Sequence, residues 1–327
     1  MTGRLIRSIG NPEVVVNLRS CVKPFGLLAL VEAGGADAFE LSSSELAIMA
    51  SSHSGEDIHV RTLQAVYRRA NVSQAVLACG NEGMPLDALT AARLARDGER
   101  AGPIRHMCSG QHSSMILLAR LNNWSLDDYW HPEHPSQEAY RAAVAAVFRV
   151  APDRLVRSID GCGIETYAFA LAEVARAYAF LADPASVPVG DPRARLAGSM
   201  TRIRDAMLVH PEMVAGSRER LDTSLMKALP GRIVSKGGME ALRGLAILGT
   251  DRRHSSGMAI KIEDGDGHQR ATWAATVEAL RQAGILAGAP LREMARYHRP
   301  ASLDPHGRVA AEAIAEFDLA PVGELIG

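Results

Sequence analysis

Ser20 and Lys23 stand in the spacing S-x-x-K. On a helix, positions i and i+3 share a face, so the lysine amine reaches the serine hydroxyl. A partly buried lysine with lowered proton affinity can then act as its general base. An N-cap serine followed by a solvated lysine has the same spacing. Here, however, the stretch Ser20 to Val31, SCVKPFGLLALV, is apolar on nearly every side. Lys23 would be a costly buried charge without a functional partner. Pro24 is tolerated only in the first turn of a helix, so Ser20 must lie at or next to its N-terminus, and Gly34-Gly35 stops it.

Lys236, in Ser235-Lys236-Gly237-Gly238, ends an expected strand at a glycine turn. That placement is similar to the K-T-G element of serine acyl-transferases that use S-x-x-K, where a strand-borne lysine faces the nucleophile. A surface lysine beside a hairpin is the plainer alternative. A second cation near Lys23 would lower the latter's proton affinity, which a neutral amine base requires. Ser52, in Ser51-Ser52-His53-Ser54-Gly55, is a candidate for a second catalytic hydroxyl. Ser54 has a helix-capping job available, whereas Ser51 and Ser52 do not.

Cys108 and His112 are i and i+4 on one helical face, and Cys162 with Asp160 sits on a later strand-to-helix turn. Two thiolates plus a third ligand would make a zinc site, while buried free cysteines also serve as small hydrophobes. Asp264 and Asp266 do not form a calcium loop, because the twelfth position is Ala275 where a bidentate Glu is needed.

The elements that must position these groups follow from period and punctuation. Leu5 to Leu18 reads as two short strands joined by a turn at Gly10-Asn11-Pro12. Capping boxes at Ser42 with Glu45, and at Ser54 with Asp57, open two helices. Further helices are expected near Asp87 to Ala101, in QHSSMILLARL, at Glu138 to Phe148, over the Ala-rich Thr166 to Leu181, and at Leu196 to Val209. LVRSI reads as a strand. GRIVSK, LRGLAILG, GMAIKIE and HQRATWA read as strands, the last two joined as a hairpin by Asp264-Gly265-Asp266-Gly267. The expectation is an α/β chain with an antiparallel sheet built from N- and C-terminal strands and an inserted helical lobe at about 36–210, all in one domain over 1–327.

Composition bounds the function. The chain has 327 residues, is 47% hydrophobic and balances 36 Lys plus Arg against 37 Asp plus Glu. That size suits one compact α/β unit or two small domains. A formal net charge of -1 with no long basic stretch gives no field for nucleic acid or anionic lipid. No apolar run reaches the length of a membrane span and no secretory apolar region opens the chain, so the expectation is a soluble cytoplasmic protein. The four cysteines, Cys21, Cys79, Cys108 and Cys162, are too spread for a disulfide framework, and no C-x-x-C pair occurs.

Taken in order, RSCVKPF, ASSHSGE, Cys79-Gly80, MCSGQHSSM, SIDGCG, HPEMVAGSRERLDT, SKGG and AIKIEDGDG resemble the rhizobial-type L-asparaginase family from Ile9 to about Val309. The resemblance implies a serine β-lactamase-like fold, commonly dimeric, that hydrolyses L-asparagine to L-aspartate and ammonia. It implies Ser20, Lys23, Ser52 and Lys236 as catalytic residues, Arg19, His53, Asp160 and His112 near the substrate, and Cys108 and Cys162 as zinc ligands. Arg19 would hold the substrate α-carboxylate and Asp160 its α-amine, or Asp160 would support a metal-bound cysteine. The family's third zinc ligand is a lysine where this chain has Gln111. A neutral amide is a poor zinc ligand, so His112 or water substitutes or affinity falls.

Other departures lie near the site or the sheet. The Cys-Gly element continues into Asn81 and Glu82 rather than toward a histidine, and Ser302 to Arg308 lacks an asparagine-containing turn. The family's first strand, with a His-x-Gly element, precedes Met1. The sheet edge is then expected to be covered by a dimer partner, or the true start lies upstream. Three functions compete: an asparagine amidohydrolase using a Ser-Lys acyl-enzyme, a related amidase or glutaminase on the same dyad, and a catalytically degenerate homologue.

Overall fold

The computed structural model describes residues 3–80, 85–267 and 269–321; Asn81 and Glu82 lie outside them. It is a mixed α/β structure with small antiparallel sheets among many helices. Strands β1 (Arg7–Ser8), β2 (Val15–Asn17), β3 (Val156–Ile159), β4 (Glu165–Ala170), β5 (Ile233–Gly237), β6 (Leu242–Ile247), β7 (Ser256–Lys261), β8 (Ala301–Leu303), β9 (Val309–Glu312) and β10 (Ala320–Pro321) follow in chain order. They pair as β1-β10, β2-β4-β3, β5-β6-β7 and β8-β9. One sheet from the chain's two ends was expected; among the described residues only β1-β10 joins the ends directly.

Four expectations are corrected. The segment Leu5 to Leu18 holds two strands but no hairpin, because β1 pairs with β10 and β2 with β4. Thr166 to Leu181 is not one helix. Its first part is β4, and the helix runs Leu171–Ala182. Glu165, buried at the start of β4, binds Arg141 and Arg157, and Asn17 of β2 takes the Thr166 hydroxyl at 2.8 Å. These bonds hold the segment extended. HQRATWA is not a strand either: helix Arg270–Gln282 follows the turn. Asp266 Oδ2 accepts from the Thr272 N–H at 2.7 Å and its hydroxyl at 2.8 Å, tying the turn to the first helical turn. The box at Ser42 forms as expected, whereas the second helix is capped by Glu56 with His59, not by Ser54 with Asp57.

The apolar segment expected to be central is so. It runs as a 3-10 turn Arg19–Val22 and helices Lys23–Gly26 and Leu28–Glu32, with Cys21, Phe25 and Leu28 fully buried. Gly26 permits this packing: a Cβ there would lie 1.7 Å from the Tyr140 ring of helix Pro135–Phe148. Helix Leu171–Ala182 links this segment to the β5-β6-β7 sheet. Tyr178 stacks edge-on to Phe25 at 5.2 Å and donates its hydroxyl proton to the Cys21 carbonyl at 2.9 Å. On its other side Gly257 of β7 meets the helix backbone, where a Cβ would stand 1.9 Å from the Ala175 carbonyl. Among the described residues, no helix is long and apolar enough to cross a membrane.

Candidate active site

Strand β2 delivers the chain to Ser20. Leu18 N–H donates to the Tyr167 carbonyl at 2.8 Å, and Arg19 N–H to Asn17 Oδ1 at 3.1 Å. Arg19 has φ of 44°, in the left-handed region that costs a non-glycine residue about 1–3 kcal/mol and recurs at functional sites. Immediately after this strained residue, Ser20 is buried at the edge of a cleft of about 900 Å³, whose lining includes Ser52, Arg220, Gly237, Gly238 and Trp273. Among the described residues the Ser20 hydroxyl makes no side-chain hydrogen bond, and its backbone N–H has no acceptor.

Ser52 collects both lysines. Lys23 Nζ lies 3.1 Å and Lys236 Nζ 2.8 Å from its hydroxyl oxygen. Ser52 is held in the connection between helices Ser43–Met49 and Asp57–Ala70 by its N–H, which donates to the Val214 carbonyl at 2.9 Å. Lys23 also donates to the Met107 carbonyl at 3.4 Å and to Cys108 Sγ at 3.3 Å, giving its amine three partners. Lys236 further donates to the Gly237 carbonyl at 2.6 Å. Burial first, then the charge of Lys23, lowers the Lys236 amine to about 7.

The strand carrying Lys236 is braced by residues that motif spacing did not reveal. Asp222 accepts from the Ser235 hydroxyl at 2.6 Å and the Gly237 N–H at 3.1 Å, and pairs with Arg243. Burial opposes the charge of Asp222, but Arg243 and Lys236 outweigh it and hold the carboxyl at about 2. Asp222 falls in HPEMVAGSRERLDT, yet an aspartate after alternating charges gives no sign of burial until the fold places Arg243 beside it.

Arg19 and Asp160, expected near the substrate, with Asp160 alternatively supporting a metal-bound cysteine, pair with each other: the guanidinium meets Asp160 at 2.7 Å and also pairs with Glu240. Asp160 further accepts from the Gly161 N–H at 2.7 Å. His53 lies behind Ser52, fully buried. It accepts the Gly55 N–H on Nδ1 at 3.1 Å, so its Nε2 donates to Ser109 Oγ at 2.8 Å. Burial and then His59, stacked 4.8 Å away, keep His53 neutral. His112 is also fully buried. Its Nδ1 meets the Tyr129 hydroxyl at 2.7 Å, its Nε2 has no partner among the described residues, and burial lowers its pKa to about 3.

Cys108 and Cys162 are brought together. The Cys108 thiol is held far below its ordinary value by a hydrogen bond from Cys162, with Lys23 adding to the effect, while Cys162 is pushed up. Gln111 turns away and donates its amide to the Tyr140 hydroxyl at 2.6 Å. Among the described residues no three His, Cys, Asp or Glu side chains gather as metal ligands. Two thiols with no third His, Cys, Asp or Glu beside them among the described residues do not fit a typical tetrahedral zinc site. Cys21 and Cys79 pack in the core, their thiols donating to the carbonyls of Lys236 at 3.2 Å and Pro103 at 3.3 Å.

Comparison with known families places the chain among asparaginase-type amidohydrolases. The model of the L-asparaginase II family matches residues 1–314, and the chain belongs to that family. No curated protein matches it.

Proposed function

We propose that the protein hydrolyses L-asparagine to L-aspartate and ammonia through an acyl-enzyme on Ser20. The carrying observation is the convergence of Lys23 and Lys236 on the Ser52 hydroxyl, in the cleft that Ser20 lines. In this reading Ser20 Oγ attacks the side-chain amide carbon. Its proton passes toward Ser52 and the lysine pair, and returns to the departing nitrogen as ammonia leaves. Water then hydrolyses the aspartyl ester.

The base in this reading is Lys236 rather than Lys23, to which the S-x-x-K spacing, its apolar surroundings and the family resemblance pointed. Lys236 is the amine brought near neutrality at physiological pH, whereas the three partners of Lys23 match the three donors of an ammonium. Lys23 then supplies positive charge beside the reacting groups. The free backbone N–H of Ser20 is available to stabilise the oxyanion. A buried S-x-x-K segment packed against an antiparallel sheet that presents a second lysine supports a serine β-lactamase-like arrangement.

Cytoplasmic location and a homodimer belong to the same proposal; light scattering of the purified protein tests the dimer. For the reaction, ammonia release is measured with asparagine and glutamine, beside Ser20→Ala and Lys23→Met. Turnover of asparagine that both substitutions abolish is expected. No ammonia at any substrate level, full rate in Ser20→Ala, or faster turnover of glutamine contradicts the reading.

A further inference from the structure

We infer that Arg220 binds the α-carboxylate of the substrate, an assignment that rests on the amidohydrolase reading and adds the feature by which the site selects its amide. Four arginines line the cleft, Arg218, Arg220, Arg243 and Arg296. Three are occupied. Arg218 pairs with Asp87 at 2.6 Å and Glu56 at 3.2 Å. Arg243 pairs with Asp222 and meets Ser235 Oγ at 3.0 Å. Arg296 lies over the Tyr297 ring at 4.7 Å and reaches Glu219 at 3.9 Å. Arg19, the other candidate, is taken by Asp160 and Glu240.

Arg220 is different. Its guanidinium makes one hydrogen bond among the described residues, to the Ser52 carbonyl at 3.1 Å, and pairs with no carboxylate there. A guanidinium carries five donors, so most of this fork is uncommitted. Burial lowers its proton affinity, and the charges of Asp222 and Glu56, neither of which pairs with it, offset that cost only in part. A carboxylate arriving with the substrate offsets it, and the planar fork matches a carboxylate through two parallel bonds.

Position agrees with charge. The one bond Arg220 makes among the described residues is to the backbone of Ser52, whose side chain receives both lysines, and Arg220, Ser52 and Ser20 line one cleft. In asparagine the α-carboxylate and the side-chain amide are separated by only two carbons. A carboxylate held at Arg220 therefore leaves the amide beside the serines, and one more methylene shifts the amide relative to them. The preferred ligand class is a short amide with a free α-carboxylate, and an amide whose α-carboxyl is blocked or missing is disfavoured.

The test compares Arg220→Gln and Arg220→Lys with the wild type on asparagine and on 3-aminopropanamide, which is asparagine without its α-carboxylate. Binding of the product L-aspartate is measured by calorimetry on the same proteins. We expect Arg220→Gln to lower kcat/KM for asparagine by on the order of a hundredfold or more, with a much smaller loss on 3-aminopropanamide and a parallel weakening of aspartate binding. Arg220→Lys should fall between. Equal losses on the two amides, or unchanged aspartate binding, overturn the assignment. Absence of asparagine turnover by the wild type overturns the amidohydrolase reading instead, and the aspartate arm still decides for or against Arg220.

Discussion

Lys236 Nζ and Ser52 Oγ lie 2.8 Å apart although 184 positions separate them in the chain. Lys23 reaches the same oxygen from 29 positions away, at 3.1 Å. Burial disfavours an ammonium at Lys236, and the charge of Lys23 on the same hydroxyl adds to the cost, which lowers Lys236 to about 7. That is the state a serine nucleophile needs from its base.

A rate profile follows. With Lys236 at about 7 and acting as base, activity should rise as pH passes upward through about 7 and level off above it. Initial rates of ammonia release under saturating asparagine, measured across that range, check it. A profile flat through neutrality contradicts the role of Lys236.

Removing the amine separates activity from stability. Lys236→Met should cost about 10²–10⁴-fold in rate. The folded-state value lies below the ordinary 10.5, so below about 7 the folded protein bears the full penalty of a buried ammonium, relieved as pH rises toward 10.5. Thermal melting at mildly acid pH should therefore find Lys236→Met at least as stable as the wild type. A marked loss of stability there would contradict the burial cost.

His112 supplies an acid-side prediction. Its folded value of about 3 lies below 6.5, so the unfolded chain takes up a proton first and stability falls as pH drops from about 6.5 toward 3. Denaturant midpoints of wild type and His112→Gln, compared at neutral pH and at about pH 5, check this. The variant's midpoint should shift less with acid, and an equal shift would remove His112 as a source.

Metal content is a direct consequence of Gln111. With two thiols, an amide committed to Tyr140 and no third His, Cys, Asp or Glu beside them among the described residues, the purified protein should carry well under one zinc per chain, and chelation should leave asparagine turnover unchanged. Elemental analysis showing one zinc per chain would contradict this.

Much of this arrangement was legible before the fold. The apolar surroundings of Lys23 marked it as buried, and Pro24 fixed where its helix begins. The Ser42 box, helix Ser109–Leu121 and strands β5 to β7 followed from local chemistry. What local pattern does not carry is partnership. Val15 to Asn17 reads as a strand, but nothing near it says that its partner is Glu165–Ala170. Alanines in ETYAFALAEVARAY masked a strand whose Thr, Tyr and Phe were the real signal. Arg220 was hidden in the same way: among Arg218, Glu219 and Asp222 it looks solvated, and only the three-dimensional pairing of the neighbouring carboxylates leaves it without one among the described residues.

The central claim is a covalent intermediate on Ser20, and trapping it tests that claim most directly. Rapid acid quench of the wild type turning over asparagine, followed by peptide mass spectrometry, should find an aspartyl ester on the peptide containing Ser20 and none in Ser20→Ala. An ester on Ser52, or full turnover with no ester on any residue while added hydroxylamine captures no aspartyl group, would contradict the account.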